Sequence, residues 1–336
     1  MKKIFAKLFA HTPKAKNLEW KNVQSVLIRP IGAGLGDAVV LSAVFSQLKK
    51  AYPTIKLGVL STPRNRPIFE RIFTIDEILP DTFFTAITHR CKYQVFLDYQ
   101  PTFTTRNILF DFLLFPSYAI CFEKKAKKYY NADTVRNYNF YVPDLSATHL
   151  SRSLALTPFA SYVDTQTPTY SLTKPSQEAL NKIKKFLQGN KCNILVSPLG
   201  SDKILNKEIL SSVLKKLNQH ITPHFVFPLS NDAYSVNVNN STYTGKISLE
   251  EFLSLIWSAD LIISVDTVTV HIACAYQKPL VAIYGGWDYG FAQFAPIGNK
   301  AFSVRSHTPA NGPVKHIDNW AAEEAFEKAV KLLEGK

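Results

Sequence analysis

The stretch Leu261-Ile262-Ile263-Ser264-Val265 constrains this chain more than any other. It has no polar alternation, so it reads as a strand covered on both faces, which a parallel sheet between helical layers provides. Asp266-Thr267-Val268-Thr269-Val270-His271 follows, and His271-Ile272-Ala273-Cys274-Ala275-Tyr276 reads as the start of a helix. Pro279-Leu280-Val281-Ala282-Ile283-Tyr284-Gly285-Gly286 then gives a second buried strand. An acidic residue at the carboxyl end of such a strand, with helix amides next to it, stands where an open α/β sheet binds an anionic ligand. Asp266 as a plain helix N-cap is the competing reading.

The same alternation runs through the first half. Val23–Arg29 predicts a strand, the turn Pro30-Ile31-Gly32-Ala33-Gly34-Leu35-Gly36-Asp37 follows, and Ala38–Lys50 carries apolar residues at helical spacing. The glycines give G-x-G-x-G, not the G-x-G-x-x-G of a dinucleotide fold. The second strand, Ile55–Leu60, ends without an acidic residue to hold a ribose. Asp37 is either an N-cap or a carboxylate at the mouth of a binding site acting as general base. Further strands are predicted at Glu77–Leu79, Tyr93–Asp98 and Tyr118–Phe122, with a helix at Arg106–Phe115. The basic run Glu123–Tyr130 is a solvated face or an anion clamp, with Lys124 and Lys125 as candidates; Arg64 and Arg66 are candidates by charge and position.

Tyr162–Thr173 is rich in Thr, Ser and Pro and reads as a linker. Beyond it the pattern repeats: the strand Asn193–Pro198, the loop Leu199–Lys203, a helix over Glu208–Leu217, the strand His224–Pro228, the polar turn Ser230-Asn231-Asp232, and a helix opened by Ser248 with capping-box character. The expected division is residues 1–168, residues 169–319, and a last helix, 320–336, that packs back on the first domain. The formal charge of +13 calls for an anionic partner. No zinc-finger spacing, RNP aromatics or basic heptads point to nucleic acid. The four scattered cysteines form no C-x-x-C pair and fit a reducing cytoplasm. No apolar run reaches the ~18 residues of a membrane span. The start, Met1–Ala10, is a short basic amphipathic helix for a membrane surface, or else a frayed end or a packed N-terminal turn.

Three stretches together resemble the ADP-heptose:lipopolysaccharide heptosyltransferases, glycosyltransferase family 9. Gly36-Asp37-Ala38-Val39-Val40-Leu41-Ser42 is similar to the family's G-D-x-x-x-x-T/S turn. Lys203-Ile204-Leu205-Asn206-Lys207-Glu208 takes the place of its K-x-W-P-x-E segment. Asp266-Thr267 with His271, Ala273, Ala275, Lys278-Pro279 and Tyr284-Gly285 resembles its D-S/T-G-x-x-H signature and the A-x-A-x-x-K-P run beyond. Val268 replaces the signature glycine, Leu205-Asn206 replaces Trp-Pro, and Ala43 replaces a proline.

The resemblance implies an α/β GT-B architecture, two Rossmann-like parallel-sheet domains facing a central cleft, and inverting sugar transfer with no metal and no cofactor. It makes Asp37 the base. Lys203, Ser201, Asp232, Asp266, Thr267 and His271 become donor-side residues; Gly36, Arg64, Arg66, Lys124 and Lys125 become acceptor-side candidates. The donor is expected to be ADP-heptose and the acceptor the phosphorylated inner core of lipopolysaccharide or another lipid-linked anion. A cytoplasmic enzyme, peripheral on the inner membrane face, is expected. The alternatives are a family member with another nucleotide-sugar donor or acceptor, a GT-B epimerase, or a non-catalytic sugar-nucleotide-binding homologue.

Overall fold

The structure, a computed structural model, describes residues 2–10, 18–229 and 232–335. The chain divides into two compact units, Met1–Ser171 and Leu172–Lys336. The break falls inside the stretch expected to be a linker.

The first unit starts with α1 (Lys2–Phe9). Its sheet is built from β1 (Ser25–Arg29), β2 (Lys56–Ser61), β3 (Glu77–Pro80), β4 (Val95–Asp98), β5 (Tyr118–Phe122) and β6 (Phe140–Val142). Between them lie α2 (Leu35–Ala51), α3 (Arg66–Phe69), α4 (Phe83–Thr88) and α5 (Thr105–Leu114). The order β3-β2-β1-β4-β5-β6 is parallel throughout. Every residue of β1 and β4 is buried, as strands covered on both faces require.

The second unit repeats this plan. It begins with α6 (Gln177–Ile183); β7 (Asn193–Ser197), the short β8 (Ile204–Leu205), α7 (Lys207–Ile221), β9 (His224–Phe227) and β10 (Ser241–Tyr243) follow. Then come α8 (Leu249–Ser258), β11 (Leu261–Val265), α9 (Val268–Ala275), β12 (Leu280–Trp287), α10 (Asp288–Phe294), β13 (Ala301–Ala310), β14 (His316–Ile317) and α11 (Ala322–Glu334). The sheet order β10-β9-β7-β11-β12-β13 is again parallel. Numbered within its unit, each sheet runs 3-2-1-4-5-6, so each has one topological switch point: between β1 and β4, and between β7 and β11. The capping box at Ser248 is present, with Glu251 reaching back to the Ser248 amide.

Several elements escape the sequence patterns. β6 and β10 are three-residue strands, and β13 is a half-exposed edge strand. β12 runs past its glycines through a bulge. A Cβ at Gly286 would lie 1.9 Å from the Thr308 carbonyl oxygen, so only glycine allows β13 this close. α11 belongs to the second unit, where Ala325 and Ala329 enter a core with Leu210, Leu214 and Leu217 of α7. Of the expected polar turn, Ser230 and Asn231 lie outside the described residues; so does Met1.

β1 and β4 are tied by charge as well as by their ladder. Arg29 and Asp98 are register partners. Arg29 Nη1 lies 3.0 Å from Asp98 and 2.8 Å from Asp111 of α5. Tyr138 donates to both carboxylates at 2.7 and 2.8 Å, and Lys124 Nζ lies 3.0 Å from Asp98. The guanidinium also stacks between Phe96 and Phe110, 5.0 and 4.5 Å from their ring centres. Burial works against these charges, so each persists only through its partners. It pushes Asp98 up, but Lys124 and Arg29 outweigh it and hold that carboxyl below its usual range. For Asp111 burial prevails over Arg29, aided by Asp98, and the carboxyl is pushed up to about 6.

The sign of the pH effect follows. Native Asp111 binds its proton more tightly than in the unfolded chain, so its contribution to stability declines as pH rises from about 4 through 6. Denaturant titrations across that range should show the wild type losing stability relative to Asp111→Asn as pH rises. A pH-independent difference would contradict the network's charge state.

Candidate active-site residues in the two units

Each switch point carries one group of the expected residues. In the first unit the glycine turn leaves β1 and enters α2, with Gly34 as the N-cap residue and Asp37 in the first turn. The Asp37 carboxylate folds back over the turn: a Cβ at Gly34 would meet Asp37 Oδ2 at 2.6 Å. Gly34 is thus the position where a side chain would displace this carboxylate.

Two side chains that sequence reasoning missed hold the turn. Asn65 Nδ2 donates to the Gly32 carbonyl at 3.0 Å, and Gln100 Nε2 donates to the Pro30 carbonyl at 3.1 Å. Asn65 Oδ1 also accepts from the Thr62 amide at 2.8 Å, closing the loop that carries Arg64. Gln100 is itself fixed by the buried network: its amide donates to Asp98 at 3.0 Å and its carbonyl accepts from Lys124 at 2.5 Å. The charges under the sheet therefore set the backbone from which Asp37 projects.

The acceptor-side candidates separate. Gly36 lies half-buried in α2 beside Asp37. Arg64 is exposed one residue before Asn65. Arg66 is exposed and pairs with Glu70 at 2.8 Å on α3. Lys125 is exposed. Lys124 is a correction: its side chain is 1% exposed and its ammonium sits on Asp98, so it is a buried countercharge and not a surface clamp.

In the second unit, Lys203 and Asp266 meet at the switch point. The loop after β7 closes through Gly200 N–H to the Lys203 carbonyl at 2.7 Å, and Leu205 N–H reaches Pro198 at 3.0 Å. β8 then pairs with β14, which fixes the backbone just beyond Lys203. Leu205 and Asn206, where the resemblance leads one to expect Trp-Pro, keep this geometry. Leu205 is buried in the core, and Asn206 Oδ1 caps α7 by accepting from Ile209 at 3.0 Å. Lys203 Nζ lies 3.4 Å from Asp266 and 3.2 Å from Asp202, a partner sequence reading did not single out.

Burial lowers the Lys203 affinity for its proton, but Asp266 and Asp202 outweigh it and the net shift is upward. Asp266 is shifted upward too, because burial outweighs the attraction of Lys203. Thr267 is the N-cap residue of α9 and its hydroxyl makes no capping bond. A Cβ at Gly200 would lie 3.4 Å from Thr267 Cβ and 3.5 Å from Lys203 Cβ, so the three sit together. Ser197 Oγ meets Thr269 Oγ1 at 3.1 Å and locks α9 to β7.

The remaining donor-side candidates differ. Ser201 is exposed in the Lys203 loop. Asp232 is exposed and makes no ion pair with Lys203 among the described residues. His271 is 4% exposed and stands edge-on to Phe294 at 6.2 Å, inside the unit rather than at its surface.

The pattern of the glycosyltransferase family 9 (heptosyltransferase) family matches residues 137–320, more than half of the chain and most of the second unit. The chain belongs to glycosyltransferase family 9. An Escherichia coli K12 protein described as "Putative lipopolysaccharide heptosyltransferase 4" is 29% identical over 288 residues, covering 78% of this chain and 74% of that protein. A family 9 structure from Veillonella parvula superposes with a TM-score of 0.74 at 14% identity, over 96% of this chain and all of that one. E. coli ADP-heptose lps heptosyltransferase II superposes with a TM-score of 0.70 at 17% identity, over 93% and 99%. The paired Rossmann-like domains are therefore the GT-B architecture of family 9, and the chain is a glycosyltransferase.

Two outcomes test the site. Gly34→Ala should keep the fold while turning the Asp37 carboxylate away; a crystal structure of the variant would show it, and an unmoved carboxylate would refute the contact. Lys203→Met should raise the Asp266 pKa further, since only burial and Asp202 then act on it, as a carboxyl NMR titration would report.

Proposed function

We propose that this family 9 enzyme transfers a heptose from ADP-heptose, with inversion, to the anionic inner core of lipopolysaccharide or a related lipid-linked acceptor, at a membrane surface. The observation that carries the donor side is Lys203. Its partly exposed ammonium stands between Asp202 and Asp266, beside the Thr267 start of α9. A lysine and helix amides are the groups that take up the charge of a departing nucleoside diphosphate. Two structural relatives point the same way: one is the E. coli ADP-heptose lps heptosyltransferase II, and the other, E. coli heptosyltransferase WaaC, is known with ADP.

On this reading Asp37 takes the proton of the acceptor hydroxyl. The hydroxyl oxygen forms the new bond to the anomeric carbon from the opposite face, and the bond to the diphosphate oxygen breaks, ADP leaving with the electron pair. Lys203 and the α9 amides balance that charge in place of a metal. Gly36, Arg64 and Lys125 are the acceptor-side residues that stay available; Arg66 would first have to leave Glu70. A second reading rests on Val268, the first residue of α9, which stands where the family signature has glycine and gives a reason for a different donor.

Asp37→Asn should lower kcat by roughly 10² to 10⁴-fold and leave ADP affinity unchanged. Lys203→Met should weaken ADP binding about ten- to hundred-fold. Calorimetry with ADP, UDP, GDP and CDP decides the donor. Selective ADP binding supports the heptose reading, preference for another nucleotide moves the donor elsewhere, and near-normal turnover of Asp37→Asn removes the base.

A further inference from the structure

α1 is apolar on two sides. Phe5 and Phe9 pack against a cluster of Phe103, Ile108, Tyr130 and Val135, and Phe9 meets Phe112 of α5 edge-on at 5.3 Å. Asn137 Nδ2 donates to the Phe9 carbonyl at 3.3 Å and holds the helix end. Ile4 and Leu8, one turn apart, are 62% and 58% exposed. A helix packed on a domain needs one apolar stripe; Ile4 and Leu8 gain little from this fold.

The basic run shares the same footing. Lys127 and Tyr130 close a turn by backbone bonds of 2.8 and 3.1 Å, and Tyr130 enters the cluster that receives Phe5 and Phe9. The Tyr130 hydroxyl meets Thr105 Oγ1 at 2.9 Å. Lys124 points inward to Asp98, whereas Lys125, Lys127, Lys128 and Tyr129 are exposed. Lys128 lies 5.6 Å from the centre of the Tyr129 ring. One buried cluster thus seats an exposed apolar helix pair and an exposed lysine-tyrosine turn.

We infer that Ile4 and Leu8 of α1 and the 125–129 turn form one docking surface for an anionic lipid bilayer. The lysines alone would suit any polyanion. The apolar pair selects a surface with an apolar layer beneath its charges, and tyrosine is a residue of that boundary. The surface gives the membrane contact of the proposed function a place, and to that extent rests on it.

The test is co-sedimentation of the full chain with phosphatidylcholine vesicles, with and without phosphatidylglycerol. The protein should bind the anionic vesicles, bind neutral ones weakly, and release as salt rises. Ile4→Ser/Leu8→Ser and Lys127→Glu/Lys128→Glu should each lower the partition coefficient roughly ten-fold or more, with ADP binding unchanged. If either double variant fails to fold, Leu8→Ser and Lys128→Ala are read instead, and each must weaken binding. Wild-type protein that ignores anionic vesicles, or variants that bind them as wild type does, would overturn the inference. Vesicle binding without ADP binding would sink the donor reading alone.

Discussion

The pairing of Arg29 with Asp98 across the switch point of the first sheet is the interaction on which the first unit depends. The two residues end adjacent parallel strands, so their charges are forced together under the glycine turn. Neither is tolerable alone in that setting. Asp111, Tyr138 and Lys124 complete the set, and through Gln100 the set reaches the carbonyl of Pro30. Stability and geometry are therefore coupled: the buried charges that cost the fold most are the ones that aim the turn carrying Asp37.

The two units solve the same problem differently. The first positions a carboxylate by packing a glycine turn between two amide side chains. The second positions an ammonium by locking its backbone on both sides and balancing it between two carboxylates. Both use a sheet of the same strand order, with the loops that carry these residues at the one place where neighbouring connections diverge. A single α/β plan, used twice, holds a carboxylate beside one switch point and an ammonium between two carboxylates at the other.

The sheets were legible because their central strands are uninterrupted apolar runs. The half-exposed β13 and the three-residue β6 and β10 carry no such signal. Asp37, Lys203 and Asp266 stood out through their positions at strand ends. Asn65 and Gln100 did not, because their partners are backbone carbonyls of a distant turn and leave no local pattern. Lys124 misled for a related reason: a run of lysines does not show which member turns inward, and its partner Asp98 belongs to another strand. His271, drawn from the same motif as Asp266, is buried in α9 with its ring edge-on to Phe294.

The pairing of β8 with β14 has a consequence in time. Ile204 N–H bonds to the Lys315 carbonyl and Asn206 N–H to that of Ile317. The peptide that steadies Lys203 thus comes from near the end of the chain. On the ribosome, every central strand of the second sheet is made before these bonds can form. The backbone beyond Lys203 therefore takes its final partners only after the central strands of its own sheet exist.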